Sequence, residues 1–107
     1  MNNFEVKKKL IEIFEKAKAE EGEAYIYFGL ETPNGLIVKT CVKDFEVDYD
    51  YNDYISINGY EEKDENNYEM VRIPLLNIVS ININIEEDEY KFSITYLDKT
   101  KLSIEIP

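Results

Sequence analysis

Apolar positions recur along this chain at two different periods, and the switch between them falls near Gly22. From residue 4 to residue 21 the period is close to 3.6. Val6, Leu10, Ile13, Phe14 and Ala17 lie three or four apart, and Phe4 and Ile11 widen the stripe. Asn2 or Asn3 can cap the start, and Gly22 stands where a helix would stop. Lys8, Glu12, Glu15 and Lys16 fall on the opposite face. The pattern predicts a helix over 4–21 that covers one side or end of a sheet.

Beyond Gly22 the period drops to two. "AYIYFGL" (24–30) and "LIVKTCVK" (36–43) read as strands joined by "ETPNG", in which Pro33 fixes φ and Asn34-Gly35 tolerates positive φ. "DFEVDYDY" and "YISIN" follow, and then "GYEEKDENN" (59–67) reads as a polar, acidic, mobile loop. "YEMVRIP" resumes a strand, and Pro74 marks its end or a sheet edge. In "NIVSININI" (77–85), Ile81, Ile83 and Ile85 share one face while Ser80, Asn82 and Asn84 share the other. "EEDE" turns the chain, and "YKFSITYL" with "KLSIEIP" form a last hairpin around Asp98-Lys99-Thr100. The expected fold class is α+β. It is one domain over 1–107, with an N-terminal helix (4–21) and a β-rich part (24–106). That part is expected to form a strongly bent antiparallel sheet or small barrel of seven to eight short strands.

Charge changes this picture in one place. The net charge is −11, and ten acids fall within 44–70 against Lys63 alone. Residues 1–43 balance at seven acids and seven lysines. Binding to phosphate backbones needs Lys and Arg, so direct nucleic-acid binding is not expected, whereas a basic partner is favoured. No apolar run reaches the roughly 18 residues of a membrane span. The lysines near the start precede an amphipathic segment rather than the apolar stretch of a signal peptide, so a cytoplasmic location is the expectation.

Residue types narrow the chemistry further. The chain has no histidine and one cysteine, Cys41. The commonest general base, an intramolecular disulfide and a multi-thiolate zinc site are therefore excluded. Cys41, mid-strand among Val38, Thr40 and Val42, reads as a small buried hydrophobe. "DYDYND" places Asp48, Asp50 and Asn52 at the first, third and fifth positions of a calcium loop, but Asp53 stands at the glycine position and Gly59 at the final acidic one. No dedicated metal site and no cofactor are expected. Paired-carboxylate catalysis needs a cleft and a raised pKa, which a solvated strand face does not supply, so enzyme activity is not expected.

"DFEVDYDYNDY" (44–54) carries the main functional reading. In a strand, Phe45, Val47, Tyr49 and Tyr51 face the core while Glu46, Asp48 and Asp50 face water. An all-acid face repels itself, and Asp is a poor strand former, so the stretch accepts a local cost of the kind found at functional surfaces. Carboxylates on alternate residues lie about 6.6 Å apart and can stand in for phosphates in a basic groove. The expected partner-binding residues are Glu46, Asp48, Asp50, Asp53, Glu61, Glu62, Asp64 and Glu65, with Tyr54 and Tyr60 as contact rings. The expected function is a small acidic binding protein. It would engage a basic protein through 44–69, as a nucleic-acid mimic of the phage-inhibitor type or as an immunity protein that neutralises a toxin.

A second reading comes from a resemblance. Gly35, Val42 and Phe45 fall at the spacing of the glycine, aliphatic and aromatic positions of the first Sm motif, and in "RIPLLNIVSI" Asn77, Ile78 and Ile81 match the end of the second. Over residues 4–85 the chain resembles the Sm-like small barrels, including the Hfq type. That resemblance implies a barrel and an oligomeric, structural or ligand-binding module whose acidity is incidental. The second motif's glycine and the bacterial Tyr-Lys-His signature are absent, and none of the family's RNA-contacting residues can be placed. The run "ININI" offers a homo-oligomer contact if its strand lies at an edge. An internal strand with its asparagines in solvent is the expected arrangement, with "EEDE" as a flanking guard.

Overall fold

The structure, a computed structural model, describes residues 3–20, 25–61, 66–87 and 89–107. The helix, α1, spans Asn3–Glu20. Eight strands follow: β1 (Tyr25–Glu31), β2 (Ile37–Lys43), β3 (Glu46–Asp48), β4 (Tyr54–Glu61), β5 (Asn66–Pro74), β6 (Ile78–Glu86), β7 (Glu89–Tyr96) and β8 (Lys101–Ile106). All pairings are antiparallel, and they build two sheets, β2-β1-β8-β7-β6 and β3-β4-β5. The α+β class therefore stands, but the barrel does not. The terminal strands β2 and β6 are not bonded to each other, and closure requires that they be.

The five-stranded sheet follows the alternation in the sequence. Register sets Phe28 beside Ile104, Ile104 beside Phe92 and Phe92 beside Ile83, so one inner row crosses four strands. Adjacent rows carry Ile26, Leu102 and Ile94, all buried. The first hairpin turns where expected: Thr32 N–H donates to the Leu36 carbonyl (2.9 Å), Gly35 N–H to the Thr32 carbonyl (3.0 Å), and Gly35 has φ 90°. The last hairpin closes through Lys99 N–H to the Tyr96 carbonyl and Tyr96 N–H to the Thr100 carbonyl, both 2.9 Å. The Asp98 carboxylate accepts the Thr100 N–H at 2.9 Å, and this bond holds its pKa below the usual value.

The chain leaves the large sheet at Asp44, whose φ of 50° ends the pairing and turns Phe45 inward. β3 then pairs with β4, and the small sheet contributes Ile55, Ile57 and Ile73 to the core. α1 fills the space beside the large sheet. Val6, Leu10, Ile13, Phe14 and Ala17 are buried as the period predicts, and each of the four larger side chains stabilises the fold by about 1.5–3 kcal/mol at most. Phe14 is fully buried and meets two rings edge-on, Phe45 at 6.3 Å and Phe92 at 6.2 Å between centroids. The helix and three phenylalanines thus occupy the interior between the two sheets.

Several expectations are corrected. Phe4 is 75% exposed and does not widen the helical stripe. Cys41 is exposed, because its parity on β2 puts it on the outer face opposite Tyr27. The polar segment 59–67 is mostly strand: β4 runs to Glu61 and β5 begins at Asn66, while 62–65 lie outside the described residues. β6, expected inside a sheet, is an edge strand.

Replacing Phe14 by Ala removes the ring that α1 places against both sheets. The expected loss is about 3–5 kcal/mol by denaturant titration, a large share of a typical total of about 5–15 kcal/mol.

Tyr96 supplies a second prediction. Its hydroxyl donates to the Pro74 carbonyl at 2.8 Å, and burial pushes its ionisation well above the ordinary 10.0. The unfolded chain ionises this phenol near 10.0, so its contribution is whole below that pH and declines as pH rises past it. The thermal midpoint should fall more steeply above pH 10 in the native chain than in Tyr96→Phe, which at neutral pH loses about 1 kcal/mol.

Candidate functional site

The outer face of the small sheet holds what is described of the acidic segment. Register sets Glu46 opposite Asn58, and sets both Asp48 and Arg72 opposite Ser56, one on each side of β4. Tyr54 pairs with Pro74 one step further along the same face. Glu46, Asp50 and Asp53 are exposed and Asp48 is half-buried. Ser56, under this row of side chains, is 2% exposed, and its hydroxyl donates to the Asn58 side-chain oxygen at 3.4 Å. The structure therefore brings Glu46, Asp48, Asp50, Asp53 and Tyr54 onto one continuous stretch. Glu62, Asp64 and Glu65, and the side chains of Tyr60 and Glu61, lie outside the described residues.

The alternation that predicts one long strand over 44–51 holds only to Asp48. There the carboxylate accepts the Asp50 N–H at 3.1 Å, a turn that competes with the ladder and ends β3 after three residues. Phe45 is buried and Val47 half-buried, as the alternation requires. Tyr49 and Tyr51, expected in the core, are not there. Tyr49 is half-buried and its hydroxyl donates to the Glu15 carboxylate at 3.0 Å; burial first, then Glu15, raises its pKa. Tyr51 is 43% exposed and stacks on Tyr54, with ring centroids 4.5 Å apart and planes 16° from parallel.

Cations border this segment in specific ways. The Lys7 ammonium donates to the Tyr51 carbonyl at 2.8 Å, and Lys18 lies 5.7 Å from the Phe45 ring centroid. The Arg72 guanidinium lies 4.5 Å from the Tyr54 centroid, so Tyr51, Tyr54 and Arg72 form a continuous stack. Among the described residues no lysine or arginine pairs with Asp50 or Asp53. The face is therefore acidic along the β3 side and carries an aromatic–guanidinium stack beside it. Arg72 is the member that sequence reading missed. Its place two strands from Asp48 depends on the β4–β5 register, which a bulge at Ile57/Asn58 shifts by one residue.

A second concavity adjoins this stack, sharing Arg72 with it and lined also by Pro74, the strand partner of Tyr54. A groove of about 820 Å³ is lined by Leu30, Val38, Val71, Leu76, Leu97 and Leu102, with Arg72 and Asp98 among its few charged residues. The lining can shelter an apolar group but holds no pair of carboxylates for proton transfer. Of the three adjacent apolar residues Leu36, Ile37 and Val38, all exposed, only Val38 lines it. Among the described residues no cluster of three or more acidic or thiol groups could hold a metal ion. Among the described residues no helix is long and apolar enough to cross a membrane. Comparison with protein-family models, with curated proteins and with solved structures finds no match to this chain.

Proposed function

We propose that this protein is a binding module that engages a basic protein partner through the acidic rim of β3 and the turn after it. Exposed carboxylates beside an aromatic stack carry the reading. Asp50 and Asp53 meet no cation among the described residues, and Tyr51 and Tyr54 lie next to them as a flat, already ordered contact surface. Stacking between Tyr51, Tyr54 and Arg72 lowers the entropy lost when a partner covers them, because the rings are already in place. Glu46 and Asp48 keep the strand spacing of about 6.6 Å that lets carboxylates replace phosphates in a cationic groove. The site thus suits a protein whose groove binds nucleic acid, with Asp50 and Asp53 supplying charge and Tyr54 the ring contact.

The test uses Asp50→Lys with Asp53→Lys, two exposed positions whose side chains take no part in packing. Asp48 is unsuitable, since its carboxylate holds the turn. Immobilised native protein should capture basic nucleic-acid-binding proteins from cell extract at about 0.05 M salt and release them near 0.5 M. Added duplex DNA should compete for the same partner. The double charge reversal should weaken binding at least tenfold with an unchanged thermal midpoint. Equal binding by the reversed protein, or no competition by DNA, rejects the mimicry reading.

A further inference from the structure

Four strand edges are open in two sheets of this kind, and three of them carry charge or other protection. β2 presents Lys39 and Lys43, β3 is three residues long with Glu46 and Asp48, and β5 contains Glu69, Arg72 and Pro74. Charge, shortness and proline are the usual means of keeping an edge from pairing with another chain. β6 has none of them from Ile78 to Ile85, eight successive residues without a charge or a proline, in a chain of net charge −11. Among the described residues its only strand neighbour is β7, so its other edge of backbone donors and acceptors has no strand beside it there.

The sequence of this edge also reads the same in both directions. Ile81-Asn82-Ile83-Asn84-Ile85 is a palindrome about Ile83. A two-fold interface brings each residue against its symmetry mate, so it demands self-complementarity. With Ile83 on the axis, antiparallel pairing sets Ile81 against Ile85 and Asn82 against Asn84 of the other copy. Within these five residues every apolar residue then meets an apolar one. Each amide, which both donates and accepts, meets an amide. Ile85, 51% exposed, would be covered, and the inner apolar row would run on from one sheet into the next. Charge favours the same direction. Glu86 ends β6 and Glu87 and Glu89 follow it, and antiparallel pairing places the two clusters at opposite ends of the seam, whereas parallel pairing would stack them. In this register Glu86 faces the Ser80 hydroxyl of the other copy.

We infer that β6 pairs with β6 of a second copy, antiparallel about Ile83, joining two five-stranded sheets into one of ten strands. The inference is independent of the acidic rim, which lies on the other sheet.

Molar mass by sedimentation equilibrium across a concentration series is the first measurement. The native chain should reach twice its monomer mass of 12.6 kDa. Asn82→Lys with Asn84→Lys sets lysine against lysine across the seam and should weaken dimerisation at least a hundredfold. Both positions are exposed, so the monomer's circular dichroism should not change. Asn82→Lys with Asn84→Glu sets opposite charges against each other in this register and should restore the dimer. A lysine at Ser103, two strands away on the same outer face, should have no effect. Hydrogen exchange reads the seam without substitution: β6 amides of the native chain should exchange more slowly as concentration rises. A chain that stays at 12.6 kDa to its solubility limit overturns the inference, as does a dimer indifferent to the two lysines. Failure of the lysine–glutamate variant to recover overturns the Ile83 register.

Discussion

Everything in this molecule is arranged around the placement of Phe14. One ring, carried by the only helix among the described residues, sits edge-on to Phe92 of the large sheet and to Phe45, which leads into the small one. The two sheets also meet directly: β2 lies against β4, and side chains of both line one core. The Tyr96 hydroxyl reaches from β7 to the Pro74 carbonyl at the end of β5. Two small sheets cannot each bury both faces, so the volume between them must be filled by something with an apolar stripe of its own. The helix supplies part of that filling through its buried stripe.

Open sheets have consequences for the surface. Each end strand keeps a row of unpaired backbone groups, and the chain treats these ends differently. The small sheet ends in β3, where acids on a three-residue strand deter pairing and at the same time form a negative rim. The large sheet ends in β6, which is long and uncharged to Ile85. Charge is thus concentrated where the backbone offers little to bind, and absent where it offers most. The two proposed associations fall on either side of this division: a side-chain contact with a cationic surface on one sheet, and a backbone contact with a like strand on the other.

The segment 44–54 shows why the acidic face differs from a simple alternating strand. A carboxylate on a strand can bond its own backbone two residues on, and at Asp48 it does so. Once the ladder stops there, Tyr49 and Tyr51 are released from the inward parity. Tyr49 is drawn to Glu15 on the helix, and Tyr51 lies flat on Tyr54. The turn is held from the other side by Lys7 at the Tyr51 carbonyl. The acidic positions are therefore tethered to α1, and through α1 to the same core that Phe14 organises. Rigidity of the rim follows from the packing of the helix.

Local period and residue type were enough to specify much of this. The 3.6-residue stripe named the five buried helix positions, and the period of two marked β1, β7 and β8 as strands. Turn residues located the hairpins at Thr32–Gly35 and Leu97–Thr100, since these features depend only on neighbours in the chain. The acids at 46, 48, 50 and 53 were legible for the same reason. Strand order was not. Periodicity says which face a side chain takes but carries no record of which strand lies beside it, and only the order of β2-β1-β8-β7-β6 makes β6 an edge. Register was hidden as well: Arg72 arrives across from Asp48 through a bulge, and Cys41 is exposed through a face that no sequence neighbour covers. Long-range pairing decided these points, because its energy depends on contacts between residues far apart in the chain.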